Sequence, residues 1–154
     1  MATPLNKGEQ IWIRHRYFDS NTTMNSMEMA TDHYEIGYTV SGDRITITPT
    51  ETYSFHPGNI SMTPIYTYHR TIPGSNLPCE NYLIKFTQEF IRPFITTVGQ
   101  YTFDKMYEQR ICSFTPQVQR IIRQMFADMV IEYNKNTPYR DLILQGMLFR
   151  LFTT

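Results

Sequence analysis

From Asp32 to Arg70, apolar residues alternate with polar ones in short runs, and Gly, Pro or Asn cuts the runs at short intervals. Strict alternation puts one set of side chains on each face of a strand. Runs of this length between turn residues predict an all-β sandwich or barrel of short antiparallel strands. Gln10–Phe18 carries β-formers and weak alternation and predicts a first strand. Asp19–Thr23 reads as a turn. In the ambiguous stretch that follows, Met24, Met27 and Met29 are expected to pack over a barrel mouth.

His33–Val40 predicts the next strand, and Ser41-Gly42-Asp43 a hairpin turn. Ile45 and Ile47 alternate with Thr46 and Thr48, which predicts one buried and one solvated face. Tyr53 and Phe55 repeat that pattern. His56-Pro57-Gly58-Asn59 is a turn, because Pro presets φ and Gly accepts positive φ. Ile60–Thr63 is a short strand and Thr71–Asn76 a loop. Tyr82–Phe86 is the last clear strand, with Tyr82, Ile84 and Phe86 on one side.

The period then shifts from about 2 to about 3.6. Thr87 is expected to open a helix running to Gly99, interrupted near its middle by Pro93. Residues 101–114 read as irregular, with one helical turn around Asp104–Gln109. Thr115-Pro116 is a strong start: an N-cap followed by Pro at the first helical position. Beyond it, Val118, Ile121, Ile122, Met125, Phe126, Met129, Val130 and Tyr133 recur at steps of three and four. Thr137-Pro138 repeats the signal for a second helix, Tyr139 to about Phe152, forming an antiparallel hairpin with the first. Between Leu142 and Phe152 only Gln145, Gly146 and Arg150 are not apolar. Such a helix must be covered on more than one side. A second copy of the chain can supply that cover, through Ile122, Met125, Met129, Leu144 and Leu148; the barrel and the first helix are the other candidates. The last residues, Leu151–Thr154, end without a polar run and read as the front part of a longer protein.

Composition narrows the picture. At 154 residues the chain is one domain, or one domain with a helical appendage, and can build a core without a staple. Cys79 and Cys112 show no CxxC or Cys/His spacing, which reads as free thiols in a reducing compartment. Fourteen basic residues balance fourteen acidic ones, and no basic run exists, so these residues are not expected to grip DNA alone. No segment approaches the roughly 20 apolar residues that span a bilayer. The N-terminus lacks an apolar signal core. A cytoplasmic location follows.

Spacing adds an identity. Six residues separate Glu35 from Gly42, five separate Gly58 from Pro64, and His69 lies five positions after Pro64. These intervals resemble the two signature stretches of the cupin barrel. The finer text is Tyr34-Glu35-Ile36 through Ser41-Gly42, then Pro57-Gly58-Asn59-Ile60 through Pro64 and His69-Arg70. It resembles the N-terminal sensor domain of AraC-type transcription regulators, over roughly residues 10–154. The helical pair resembles that family's dimerisation segment. The resemblance implies a mainly β fold with C-terminal α: a cupin-like double-stranded β-helix (jelly-roll) barrel followed by an antiparallel helical hairpin. It implies an effector-binding barrel with a trailing helix over 1–100 and a dimerisation segment over 101–154. It further implies a small-molecule effector, with sugars among the candidates, a homodimer, and no cofactor or catalysis. DNA would be met through a helix-turn-helix module absent from these residues.

Many cupins hold a metal through two His and a Glu in the first signature and a His in the second. Glu35 and His69 occupy two of these positions, but the other histidines would fall near Met29 and Thr31. His33, two before Glu35, is out of register for that pattern. Two ligands do not make a tight site, so no metal is expected. Glu35 and His69 are then either a satisfied polar pair at the barrel mouth or hydrogen-bonding partners of a polar effector. Trp12, Arg14, Tyr66, Tyr68 and Tyr82 are expected around them, aromatic walls with a few polar groups being suited to small molecules. Arg14 could pair with an acidic ligand. His15 and His56 read as solvent-exposed. The competing reading is a small metal-dependent cupin enzyme, a dioxygenase or sugar isomerase. No GxSxG elbow supports covalent catalysis.

Overall fold

The computed structural model describes residues 5, 8–18, 26–76 and 78–154. The expected turn at Asp19–Thr23 and the side chain of Met24 lie outside the described residues. Two antiparallel sheets face each other. The larger has strand order β1-β7-β2-β5-β8 and the smaller β4-β3-β6. In chain order the strands are β1 (Ile11–Phe18), β2 (Tyr34–Ser41), β3 (Arg44–Ile47), β4 (Thr52–Phe55), β5 (Ile60–Thr63), β6 (Arg70–Pro73), β7 (Cys79–Phe86) and β8 (Ile111–Cys112). The helices are α1 (Arg92–Val98), α2 (Gln100–Glu108), α3 (Pro116–Tyr133) and α4 (Arg140–Phe152). This is the cupin-like barrel and helical hairpin that the sequence resembles.

The side-chain period of two divides the large sheet into two environments. Ile36 and Tyr38 on β2, Ile60 and Met62 on β5, and Ile84 and Phe86 on β7 point away from the small sheet. There they meet Phe103 and Tyr107 of α2, Ile122, Phe126 and Met129 of α3, and Leu144, Leu148 and Leu151 of α4. This single cluster is the hydrophobic core. It lies between sheet and helices, not inside the barrel. The opposite face carries Glu35, Gly37, Thr39, Ser61, Thr63 and Asn81, and it encloses a polar space with the small sheet.

Several expectations change for that reason. Ser41–Asp43 does not join a hairpin. β2 pairs with β5 and β7, whereas β3 pairs with β4 and β6. The three residues form a corner between sheets, and Gly42 turns it at φ +73°. On β3 it is Thr46 that is buried, while Ile45 and Ile47 are half-exposed. The buried face of β3 is its threonine face, because the barrel interior is polar. Arg70–Pro73 is a strand rather than a loop, pairing Thr71 with Thr46.

The helical part differs mainly at its entry. Thr87 caps only a turn, its Oγ1 accepting from Phe90 N–H at 3.1 Å, and α1 begins at Arg92. Pro93 therefore sits in the first turn, where a missing N–H costs nothing. The stretch expected to be irregular holds α2 and the two-residue strand β8. Thr115 caps α3 as expected, accepting from Val118 N–H at 3.4 Å. α3 and α4 pack as an antiparallel pair, Arg140 at the start of α4 donating to the Tyr133 carbonyl at the end of α3.

Candidate functional site: a polar chamber between the sheets

The chamber has a volume of about 240 Å³. Its large-sheet wall is a ladder. Glu35 is opposite both Thr63 and Lys85, Gly37 opposite both Ser61 and Leu83, and Thr39 opposite Asn81. Asn81 is in turn opposite Arg16 on β1. The small sheet contributes Arg44, Thr46, Phe55 and Thr71. Thr46 and Thr71 hydroxyls are bonded to each other at 3.2 Å. His69 and Glu28 close one side, their backbones paired in both directions at 2.9 Å.

Glu35 is the chamber's best-supported acceptor. Its Oε1 lies 3.4 Å from His33 Nε2 and its Oε2 lies 4.0 Å from His69 Nε2. Burial raises the Glu35 carboxyl, but the close approach of His33 Nε2, which lies outside good hydrogen-bonding geometry, and the charges of His69, Lys85 and His33 outweigh it. The carboxyl is held below its ordinary value and stays ionised near neutrality. His33 is fully buried just before β2, and its Nδ1 lies 2.6 Å from Asp32 Oδ1. Asp32 also accepts from the backbone N–H of Leu5 at 3.0 Å through Oδ2. His69 is buried and its Nδ1–H donates to the Thr67 carbonyl at 3.1 Å. That bond leaves Nε2 directed at Glu35.

The cations are held differently. The Arg16 and Arg44 guanidinium carbons stand 5.4 and 5.2 Å from the centroid of the Phe18 ring. Lys85 Nζ stands 4.9 Å from the centroid of Trp12. Arg16 Nε donates to Asn81 Oδ1 at 3.1 Å. Burial, and next the positive charge of Arg44, push the Arg16 guanidinium down to about 10.

Of the six residues expected to bind ligand, Glu35 and His69 meet in the chamber. Trp12 and Arg14 lie on the same face of β1 outside the lining, Arg14 stacked on Trp12 at 4.9 Å. Tyr82 points to the other face, where it stacks on His15 and packs near Phe126. Tyr66 is 63% exposed. Arg16, Arg44, Lys85, Asn81 and His33 were not anticipated. For three of them the register was the signal: Lys85 and Asn81 share a face of β7 with Leu83, and Arg16 follows Trp12 and Arg14 at steps of two. His56 is exposed as expected and bonds Asp43 at 3.0 Å. His15 is largely exposed, bonded to Glu80 at 2.8 Å. Cys79 and Cys112 are free thiols.

Among the described residues no group of three or more His, Cys, Asp or Glu side chains is placed to hold a metal ion. Both His33 nitrogens already face carboxylates. Met29 and Thr31 supply no donor comparable to histidine.

The five residues expected at a subunit interface are placed unequally. Ile122, Met129, Leu144 and Leu148 are in the chain's own core, and only Met125 reaches the surface. The outward face of the hairpin instead shows Ile121, Leu142 and Ile143. Met125 and Met147 line a groove of about 600 Å³ between α3 and α4.

Comparison with known proteins gives a consistent result. The family described as AraC-like ligand binding domain matches residues 17–152. Apo ToxT from Vibrio cholerae, as a single-substitution variant, superposes with a TM-score of 0.65 at 8% identity over 95% of this chain and 55% of its own. A second ToxT structure from Vibrio cholerae gives 0.59 at 13% identity, over 94% and 55%. The AraC-like transcriptional activator CuxR gives 0.51 at 14% identity, over 80% and 43%. The chain thus spans about half the length of these proteins. No curated protein matches the sequence.

Proposed function

The chain belongs to the AraC-like ligand-binding domain family, and from that premise we propose that it is the sensing and dimerising part of a longer transcription regulator. The observation that carries the reading is the partly open chamber between the sheets with ionised Glu35 at its wall and His69 aimed at it. The hydrophobic core lies elsewhere, so the polar lining is not needed to fold the barrel. A polar interior costs stability unless it is satisfied. A bound effector satisfies it.

The division of labour is that residues 1–100 take the effector and residues 101–154 hold a second copy. The dimer forms through the outward face of α3 and α4, with Ile121, Leu142, Ile143 and Met147. Gly146 sits mid-helix on that face, and a Cβ placed there would meet nothing within 4 Å. Glycine inside a helix costs about 1 kcal/mol against alanine, and the open space suits the close approach of a partner helix. Effector occupancy shifts the balance between two arrangements of the dimer and so of a DNA-binding module beyond residue 154. The protein works in the cytoplasm; no described helix is long and apolar enough to cross a membrane.

The chamber acts by binding, not turnover. A dioxygenase or isomerase of this fold would need three or four converging ligands, and the residues at the expected positions do not supply them.

A thermal-shift screen against sugars, sugar acids and aromatic metabolites tests the reading. A compound at 100 times its dissociation constant adds about 2.7 kcal/mol, or roughly 5–10 °C for a domain of this size. A hit that stabilises the wild type but not a Glu35→Gln variant supports it. Hits that ignore Glu35→Gln argue against the chamber.

A further inference from the structure

The chamber has two chemically distinct ends. At one, Glu35 sits with His69 and Lys85. Four residues along β2, Thr39 marks the other, with Asn81 and Arg16 beside it and Arg44 opposite. At about 3.3 Å per residue the two ends are roughly 13 Å apart along the strand.

Arg16 and Arg44 share the Phe18 ring as their support. No described carboxylate lies within ion-pair distance of either, or of Lys85. The chamber's two acidic side chains, Glu28 and Glu35, leave three fixed cations in excess by one. A guanidinium presents five donors in a planar fork. Arg16 Nε donates to a neutral amide, Asn81, rather than to a carboxylate. Two guanidiniums therefore face one cavity, supported by an aromatic ring where a counter-ion would serve better. Their mutual repulsion is relieved by an anion placed between them.

Size limits the anion. A cavity of about 150 Å³ accepts a benzene molecule. The chamber, at about 240 Å³, has room for one ring with substituents. Resting on the sensing reading above, we propose that the effector is a small monocyclic organic acid. Its carboxylate lies between Arg16 and Arg44, and a hydroxyl or amine on the far side of the ring donates to Glu35. A neutral sugar would leave both guanidiniums unanswered.

The test is a titration of the ¹⁵N-labelled chain followed through the Arg16 Nε–H and Asn81 side-chain amide signals. The probes are 4-hydroxybenzoate, its neutral counterpart 4-hydroxybenzyl alcohol, and glucose. The acid should shift both signals saturably and bind at least tenfold more tightly than the alcohol. Arg44→Gln should reduce that preference to threefold or less while the melting curve stays cooperative. Arg44→Lys, which keeps the charge and loses the fork, should fall between. Equal affinity for acid and alcohol, or tighter binding of glucose at the same signals, overturns the acid class and leaves the sensing reading standing. An acid preference unchanged in Arg44→Gln overturns the assignment of the pair. Absence of saturable shifts with all three probes also overturns the inference, while the thermal screen decides the sensing reading independently.

Discussion

The buried imidazole of His33 holds its Nε2 3.4 Å from Glu35 Oε1, with its other nitrogen 2.6 Å from Asp32. Asp32 fixes the ring, and the ring's other nitrogen stands beside the carboxylate that faces the chamber without a hydrogen bond of good geometry to it. Because Glu35 is held below its ordinary value of 4.5, its contribution to stability is present above that value. It is lost as pH falls through the lower, folded-state value. Thermal melts of wild type and Glu35→Gln between pH 7 and pH 3 should therefore converge in acid. A gap that widens in acid would contradict the assignment.

His33→Leu removes the donor and leaves Asp32 and Glu35 without their shared partner. A buried polar group left unpaired costs about 1–3 kcal/mol. We expect a loss in that range by urea denaturation, together with weaker binding of any screening hit. His33→Gln, which keeps a donor, should recover part of the affinity.

Gly58 at φ +90° packs against the end of the Gln119 side chain of α3, which an added Cβ would displace. This contact ties the turn beside Thr39 to the helical hairpin, since Gly58 N–H donates to the Thr39 carbonyl at 2.8 Å. Gly58→Ala should cost about 1–2 kcal/mol from backbone strain, and a smaller amount from displacing the flexible end of Gln119. Adding Gln119→Ala should recover the clash but not the strain. Additive losses in the double-mutant cycle would show that the contact is not tight.

Leu148 and Met129 are fully buried within the chain. Leu148→Ala should cost about 2–5 kcal/mol of stability. By contrast Leu142→Glu and Ile143→Glu, on the exposed face, should leave the melt cooperative and separate the proposed dimer in light scattering. Dimers that survive both outward substitutions would move the interface elsewhere.

The residues that announced themselves in the sequence were those whose chemistry is local. Thr115-Pro116 specifies a helix start by backbone geometry alone, and it caps α3 as expected. Glu35 and His69 were found by spacing and do meet in the chamber. What alternation cannot reveal is which face turns inward. Thr46 and Ile45 form the same pattern whichever set is buried, and the packing of α3 and α4 on the outer face decided it. The hairpin read at Ser41–Asp43 failed because a corner and a hairpin use the same turn residues; only the pairing of β3 with β6 separates them. Leu144 and Leu148 looked like interface residues because an all-apolar helix does not say which side its own chain covers.

The central claim is that a small molecule binds inside the barrel. Isothermal titration calorimetry of the best screening hit against wild type and Thr46→Phe tests it most directly, because Thr46 lines the chamber and a phenyl ring there fills it. The account predicts one site per chain in the wild type and loss of at least tenfold in affinity in the variant, with the fold intact by circular dichroism. Undiminished binding to a folded Thr46→Phe would contradict it.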